Sequence, residues 1–139
     1  MIILDTNVLS AVMMARPPKV VVDWLDRLPR NSVWTTAVTV FEIEYGLRRL
    51  PDGKRRHSLQ EGFRSLMVET LGGRVLPFDA RAALAAAEIS AAFAASGRRV
   101  EIRDMQIAGI SRAHRALLAT RNVKDFAQAC EIKDPWAEA

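Results

Sequence analysis

The chain has 139 residues, of which 50% are hydrophobic and 26% are charged, and its formal net charge at pH 7 is +4. This length fits one domain with a proper core and excludes two ordinary ones, so we expect a single domain over residues 1–139. The only cysteine, Cys130, excludes an internal disulfide and fits the reducing cytoplasm, where we expect a small buried side chain rather than a nucleophile. The longest apolar-rich stretch, 82–95, is too short to span a bilayer, so no membrane partner is expected.

The N-terminal stretch runs from four apolar residues directly into Asp5, Thr6 and Asn7. A short aliphatic run without helical periodicity predicts a strand buried on both faces, and a helical pattern follows from Val8 to Met14. Asp5 is then expected at the carboxyl end of a central parallel strand, where open α/β sheets bind their ligands. From these residues alone, an equally good interpretation is that Asp5 or Thr6 only caps the first helix.

The rest of the chain alternates helical patterns with short apolar strands. Pro18 suits the first turn of a second helix, which Pro29 ends. Further strands are predicted at 33–36, 74–78, 117–120 and 131–133, and further helices at 37–50, from the basic segment 48–56 to about 71, at 80–95 and at 103–114. This alternation predicts an α/β fold with a parallel sheet and right-handed crossovers.

Three acidic residues share one predicted position, the transition from strand to helix at the carboxyl edge of the sheet. They are Asp5, Glu42 near the start of the helix 37–50, and Asp104 at the start of the helix 103–114. Asn122 and Asp125 follow a strand at the same edge. Converging carboxylates repel one another unless a cation neutralises them, and oxygen ligands without histidine or thiolate select Mg²⁺ or Mn²⁺. Taken alone, Glu42 is explained better by the dipole of its helix, and it indicates a site only when Asp5 is considered with it.

A hard metal ion and a basic surface together predict hydrolysis of nucleic-acid phosphodiesters. The basic segment 48–56 is either a solvated loop or a track for a phosphate backbone. The sequence has no glycine-rich phosphate loop and no nucleophile elbow. His57 and His114 lack metal-ligand spacing and are expected at the surface, whereas Trp24 and Trp34 are expected in the core.

A phosphoacceptor receiver domain also collects acids at one edge of a sheet. It requires an acidic pair in the first loop, where this chain has Asp5 followed by Thr6. Asp79 follows the third strand, but no lysine after the fifth strand completes such a site. The sequence therefore disfavours this class.

Four motifs spread along the chain occur together in one known family. They lie at 1–7 (MIILDTN), 36–46 (TAVTVFEIEYG), 102–108 (IRDMQIA) and 118–126 (LATRNVKDF), and the closing Pro135-Trp136 also fits. Together they resemble the PIN-domain ribonucleases and, more narrowly, the VapC-type toxins of type II toxin–antitoxin modules, including the FitB-like members. The resemblance covers essentially the whole chain. It implies a three-layer α/β/α domain whose five-stranded parallel sheet has the order 3-2-1-4-5.

The resemblance also implies a function. It implies Mg²⁺- or Mn²⁺-dependent endonucleolytic cleavage of RNA, homodimerisation, and inhibition by a small VapB- or FitA-like antitoxin that alone contacts operator DNA. Asp5, Glu42 and Asp104 match the family's metal-binding acids, and Thr6 matches the polar residue that supports the first acid. Asn122 stands where the family often has a fourth acid, which leaves one or two metals open, and Asp125 is the residue that would compensate.

Two further expectations concern the antitoxin. The helices over 8–28 and 37–50 should leave an apolar groove beside the acids, which an amphipathic antitoxin segment would fill. A basic side chain of that segment would point toward Asp5 and Glu42. The alternative function is a non-catalytic or weakly catalytic partner in a DNA-bound autoregulatory complex.

Overall fold

The computed structural model describes residues 1–137 and contains a five-stranded parallel sheet between two layers of helices. The strands run in the order β3-β2-β1-β4-β5, which confirms the predicted three-layer α/β/α fold and strand order. In the central strand, Ile2 lies opposite Val33 on one side and opposite Leu117 on the other. The strands are β1 (Ile2–Leu4), β2 (Val33–Thr36), β3 (Val75–Leu76), β4 (Leu117–Ala119) and β5 (Ile132–Lys133).

Seven α-helices connect these strands within residues 1–137, and none of them is long and apolar enough to cross a membrane. The first helix begins two residues earlier than predicted because Asp5 caps it. The predicted helix ending near Leu71 stops as an α-helix at Ser65 and continues as one π-helical turn, Leu66–Thr70. The helices are α1 (Thr6–Val12), α2 (Lys19–Asp26), α3 (Ala37–Arg49), α4 (Lys54–Ser65), α5 (Ala80–Ala95), α6 (Ile102–Ala113) and α7 (Val123–Phe126), with 3₁₀ turns at Arg30–Ser32 and Pro135–Ala137.

The core is divided between the two faces of the sheet. Successive side chains of a strand point to opposite faces, so Ile3 belongs to the cluster beneath α5 and α6, whereas Leu4 belongs to the cluster beneath α1 to α4. Trp24 is buried in the second cluster, as predicted. Trp34 is only partly buried against the first cluster, which corrects its predicted core position.

The α5–α6 pair packs unusually closely. A Cβ atom added at Gly109 of α6 would lie 2.5 Å from the carbonyl oxygen of Ala82 and 2.7 Å from the Cβ of Ala86. Real Cβ atoms do not approach backbone this closely, so the contact requires glycine on α6. This contact fixes α6 on the sheet, and α6 carries Asp104.

Candidate active site

Asp5 is held at the carboxyl end of β1 by both its backbone and its side chain. Its N–H donates to the carbonyl of Ala119 in β4 (2.9 Å). One carboxylate oxygen, Oδ1, accepts the N–H of Thr6 (2.8 Å) and thereby caps α1. The other, Oδ2, accepts from the hydroxyl of Thr120 (2.7 Å) and the amide of Asn7 (3.2 Å). The side chain is 3% exposed, so Asp5 is both a helix cap and a buried carboxylate at the expected edge.

Thr120 joins the loops that follow β1 and β4. Its fully buried hydroxyl donates to Asp5 and accepts from the backbone N–H of Asn122 (3.0 Å) and the amide of Asn7 (3.3 Å). These three bonds use the one donor and two acceptor positions of a hydroxyl. The carbonyl of the Asn7 side chain also accepts the N–H of Arg121 (3.1 Å). Thr120 was not among the residues predicted from sequence to support the site.

Glu42 reaches the same edge from the first turns of α3, which Thr36 caps. The hydroxyl of Thr6 donates to Oε1 of Glu42 (2.9 Å) and lies 3.1 Å from the hydroxyl of Thr39. The guanidinium of Arg103 lies 4.0 Å from the other carboxylate oxygen. Thr6 therefore supports two acids by different groups, Asp5 through its N–H and Glu42 through its hydroxyl.

Asp104 lies in the first turn of α6, where its N–H donates to the side chain of the capping residue Glu101 (2.9 Å). Within residues 1–137 no hydrogen bond reaches its carboxylate. Burial, followed by repulsion from Glu101, Asp5, Asp125 and Glu42, raises the pKa of Asp104 to about 7. Burial also raises the pKa of Asp5, although hydrogen bonds from Thr120 and Thr6 oppose that shift.

The other acidic and amide residues stand further out. Asn122 and Asp125 are exposed; Asn122 contributes a backbone N–H to Thr120, and Asp125 acts on Asp104 only through its charge. Glu44 points elsewhere and pairs with Arg48 (3.4 Å). Asp79 is exposed and caps α5 through the N–H of Ala82, which gives it no part in this site.

The donor set suits a hard cation, with one restriction. No group of three or more His, Cys, Asp or Glu side chains among residues 1–137 is arranged so that it could hold a metal ion by itself. Mg²⁺, however, is usually bound through one or two carboxylates and keeps several waters. The acids are oxygen donors, and their mutual repulsion at Asp104 would be relieved by a positive charge. The residues therefore fit an ion whose shell is completed by water.

A cavity of about 690 Å³ opens beside these acids. Asp5, Glu42 and Asp104 line it together with apolar side chains, which include Met13 after α1, Ile43 and Leu47 of α3, and Leu59 of α4. The sequence predicts an apolar groove between the helices over 8–28 and 37–50. Of these helices α1 and α3 line the cavity, whereas none of the lining residues belongs to α2 and α4 contributes instead. Of the basic segment 48–56, Arg55 lines the cavity, whereas Arg48 pairs with Glu44 and Arg49 lies over the ring of Tyr45.

The remaining candidates have no chemical role in the described structure. His57 and His114 are exposed, as predicted. Cys130 is partly buried against the core, and burial raises the pKa of its thiol to about 12, which makes a thiolate nucleophile unavailable near neutral pH.

Comparison with known proteins gives matches over nearly the whole chain. The sequence matches the PIN domain family over residues 2–132. It is 37% identical to VapC ribonuclease Y4jK of Sinorhizobium fredii, covering 100% of both chains, and 34% identical to Toxin FitB of Neisseria gonorrhoeae, covering 98% of this chain and 99% of that one. A solved structure of FitAB bound to an IR36 DNA fragment contains a chain that superposes with a TM-score of 0.88 at 34% identity, covering 98% of this chain and 96% of that one.

Proposed function

The chain belongs to the PIN domain family, and from this premise we propose that it is a metal-dependent endoribonuclease acting as the toxin of a toxin–antitoxin pair. Asp5, Glu42 and Asp104 are its proposed catalytic, metal-binding acids, with Thr6 in support. The observation that carries the proposal is electrostatic. Acids from three separate elements lie close enough that Asp5 and Glu42 both raise the pKa of Asp104. Like charges this close to one another lower the stability of the folded protein unless a cation neutralises them. Groups with strongly shifted pKa values are typical of functional sites.

Mg²⁺ or Mn²⁺, when bound, supplies a water of lowered pKa and neutralises charge that develops on the phosphate oxygens. The protein's own part is to fix the acids. Thr120 and Asn7 hold Asp5 in one orientation, and Thr6 holds Glu42 beside it. Asn122 and Asp125 remain proposed supporting residues at the exposed side of the site, and the single domain over residues 1–139 remains a prediction.

The toxin part of the proposal is supported by the names of the relatives and by the groove. VapC ribonuclease Y4jK and Toxin FitB match along their whole length. The 690 Å³ cavity joins an apolar wall to the acids, which suits an amphipathic VapB- or FitA-like antitoxin segment that ends in a basic side chain. Operator DNA would be contacted through that antitoxin. Co-expression with a small VapB- or FitA-like antitoxin should yield a stable complex without nuclease activity.

The proposed homodimer is supported by an aromatic patch on the outer face of α3. Phe41 and Tyr45 are 57% and 50% exposed and stack with their centroids 5.9 Å apart and their planes at 3°. Exposed aromatics of this size are typical of interfaces. Light scattering of the purified chain should give twice the monomer mass, and Phe41→Glu should reduce it toward the monomer value.

The deciding experiment is cleavage of a structured RNA pool by antitoxin-free protein with Mg²⁺, with Mn²⁺ and with chelator. Asp5→Asn is the test variant because asparagine also caps helices, which keeps α1 in place while removing the charge. Asp79→Asn is the matched control, since Asp79 caps α5 away from the site. Metal-dependent cutting by the parent and by Asp79→Asn, but not by Asp5→Asn, is expected. Undiminished cutting by Asp5→Asn would contradict the site assignment.

The alternative is a non-catalytic or weakly catalytic partner in a DNA-bound complex. It is favoured by Asn122, a neutral amide at the exposed side of the site, and by the similarity to the chain in the DNA-bound FitAB structure. Under this alternative, well-folded protein cuts no RNA in either metal. Asn122→Asp, which adds a fourth carboxylate, then tests whether the missing charge is the reason.

A further inference from the structure

Asp104 forms part of the walls of two separate cavities. The first is the 690 Å³ cavity beside α1 and α3, and the second has a volume of about 620 Å³ and lies between the segment 98–105 and α7. Asp104 is the residue that the two linings share. The proposed function uses only the first.

The second cavity contains cations that have no ion-pair partner among residues 1–137, beside the carboxylates of Glu101, Asp104 and Asp125. Arg99 and Lys124 line it and are exposed, and neither has an ion-pair partner within residues 1–137. The neighbouring Arg98, by contrast, uses its guanidinium in hydrogen bonds. Arg98 donates to the carbonyls of Ala127 (2.9 Å) and Lys124 (3.0 Å), so its side chain fixes the α5–α6 connection to α7. Two positive charges therefore remain available to a ligand, on a surface that the hydrogen bonds of Arg98 hold in place.

The first cavity has its own pair of cations on the other side of the acids. Arg55 and Arg121 both line it, and the guanidinium of Arg121 lies 4.9 Å from the ring centroid of Trp136. Both cavities thus contain cations beside the acids, and the second also contains the carboxylates of Glu101 and Asp125. Carboxylates alone repel a polyanion, whereas cations on both sides attract a strand that passes across them.

We propose that the second cavity is the far arm of the RNA groove, in which Arg99 and Lys124 bind backbone phosphates of a single strand lying across Asp104. This inference rests on the proposed function and extends it to substrate binding. Among residues 1–137 no aromatic side chain lines the second cavity, so these residues offer no platform for stacking bases. Its contact with RNA is therefore to the backbone and independent of sequence.

The test is the salt dependence of RNA binding. Antitoxin-free protein is titrated with a labelled, mixed-sequence single-stranded RNA in chelator, where the proposed nuclease does not cut, at several KCl concentrations. Each phosphate contact to a single strand contributes about −0.7 to the slope of log K against log salt concentration. Arg99→Gln/Lys124→Gln should therefore flatten the slope by about 1.4, and Arg99→Lys/Lys124→Arg should retain it.

The matched control also removes two positive charges, but at positions away from the second cavity. In Arg81→Gln/Arg115→Gln both positions are exposed; Arg81 donates to the carbonyl of Ala113, the last residue of α6, and Arg115 follows that end. Asp104 lies in the first turn of the same helix. The control should keep the parent's slope. An Arg99→Gln/Lys124→Gln slope equal to the parent's, or RNA binding that is absent in the parent, would overturn the inference.

Cleavage with Mg²⁺ or Mn²⁺ separates this inference from the proposed function. Removal of uniform binding raises KM and leaves kcat nearly unchanged, which is the result expected for Arg99→Gln/Lys124→Gln. If the parent cuts RNA and this variant matches it in KM and slope, the proposed nuclease activity is supported and the proposed RNA binding by Arg99 and Lys124 is contradicted. If the parent binds RNA, the variant has a flatter slope, and neither protein cuts, the proposed RNA binding is supported and the proposed nuclease activity is contradicted.

Discussion

The two ends of the acid site are built in opposite ways. At the strand end, Asp5 is almost fully buried and accepts hydrogen bonds from Thr6, Thr120 and Asn7. At the helix end, Asp104 is half-buried and is surrounded by other negative charges without a hydrogen bond to its carboxylate in the described chain. Asp5 is therefore a fixed part of the scaffold, whereas the charge of Asp104 is relieved either by protonation or by a bound cation.

The largest expected effect follows from Asp104. Asp104→Asn should lower metal-dependent RNA cleavage by about 10²–10³-fold, the loss typical when one electrostatic group is removed from an active site. The measurement is kcat/KM on one RNA at saturating metal. Glu101→Gln is the control, because it removes a neighbouring charge and keeps an oxygen to cap α6. If both variants lose activity equally, cleavage depends on the total negative charge of this region and not on Asp104 in particular.

A smaller effect is expected at the hydrogen bonds of Asp5. Thr120→Val keeps the shape of the buried side chain but leaves Oδ2 of Asp5 and the N–H of Asn122 each short of a partner. Leaving a buried polar group unsatisfied costs about 1–3 kcal/mol, which urea denaturation in chelator will detect. Thr120→Ser retains the hydroxyl and should lose much less. Equal losses of stability in Thr120→Val and Thr120→Ser would mean that packing, rather than the hydroxyl of Thr120, holds Asp5.

Taken per pH unit, the smallest effect is a dependence of stability on pH in metal-free protein. The pKa of Asp104 in the folded state, about 7, lies above its ordinary value of 3.8, so between these values the folded state binds more protons than the unfolded state. Stability should therefore increase as pH falls from 7 toward 4, with a slope of at most about 1.4 kcal/mol per pH unit for this one group.

Asp104→Asn isolates this contribution, because Asp5 shifts in the same direction. The variant should be more stable than the parent at pH 8 in chelator, and the difference should vanish near pH 4. Free energies of unfolding across that range provide the comparison. A constant difference across all pH values would show that Asp104 does not titrate in this window.

Most of the fold could be predicted because the pattern of each element is local. The apolar run before Asp5, the turn at Gly72 and Gly73, and the alternation of strands and helices define the α/β class, and the family resemblance supplies the strand order. The π-helical turn Leu66–Thr70 could not be predicted, since its residues fit an ordinary helix. It is distinguished by its backbone hydrogen bonding, in which the N–H of Leu71 donates to the carbonyl of Leu66 (2.8 Å).

The convergence of the candidate acids and the supporting position of Thr6 could be predicted, but the contribution of Thr120 could not. Asp5, Glu42 and Asp104 each follow a strand or open a helix, which places them by sequence alone. Thr120 is recognised only through its bond to Asp5, 115 residues away in the chain. The same limit applies to Arg99 and Lys124, which share one cavity although neither stands in a motif of basic residues that predicts it.

The bond between Thr120 and Asp5 has a consequence for synthesis on the ribosome. Asp5 is translated first, and the 115 residues that separate it from Thr120 take roughly 6–23 s at about 5–20 residues per second. Until then the central strand lacks its β4 neighbour, and Asp5 lacks its hydroxyl partner. A chain released before β4 therefore has the proposed metal-binding acids without the contacts that orient them, so incomplete translation products should be harmless to the cell that makes them.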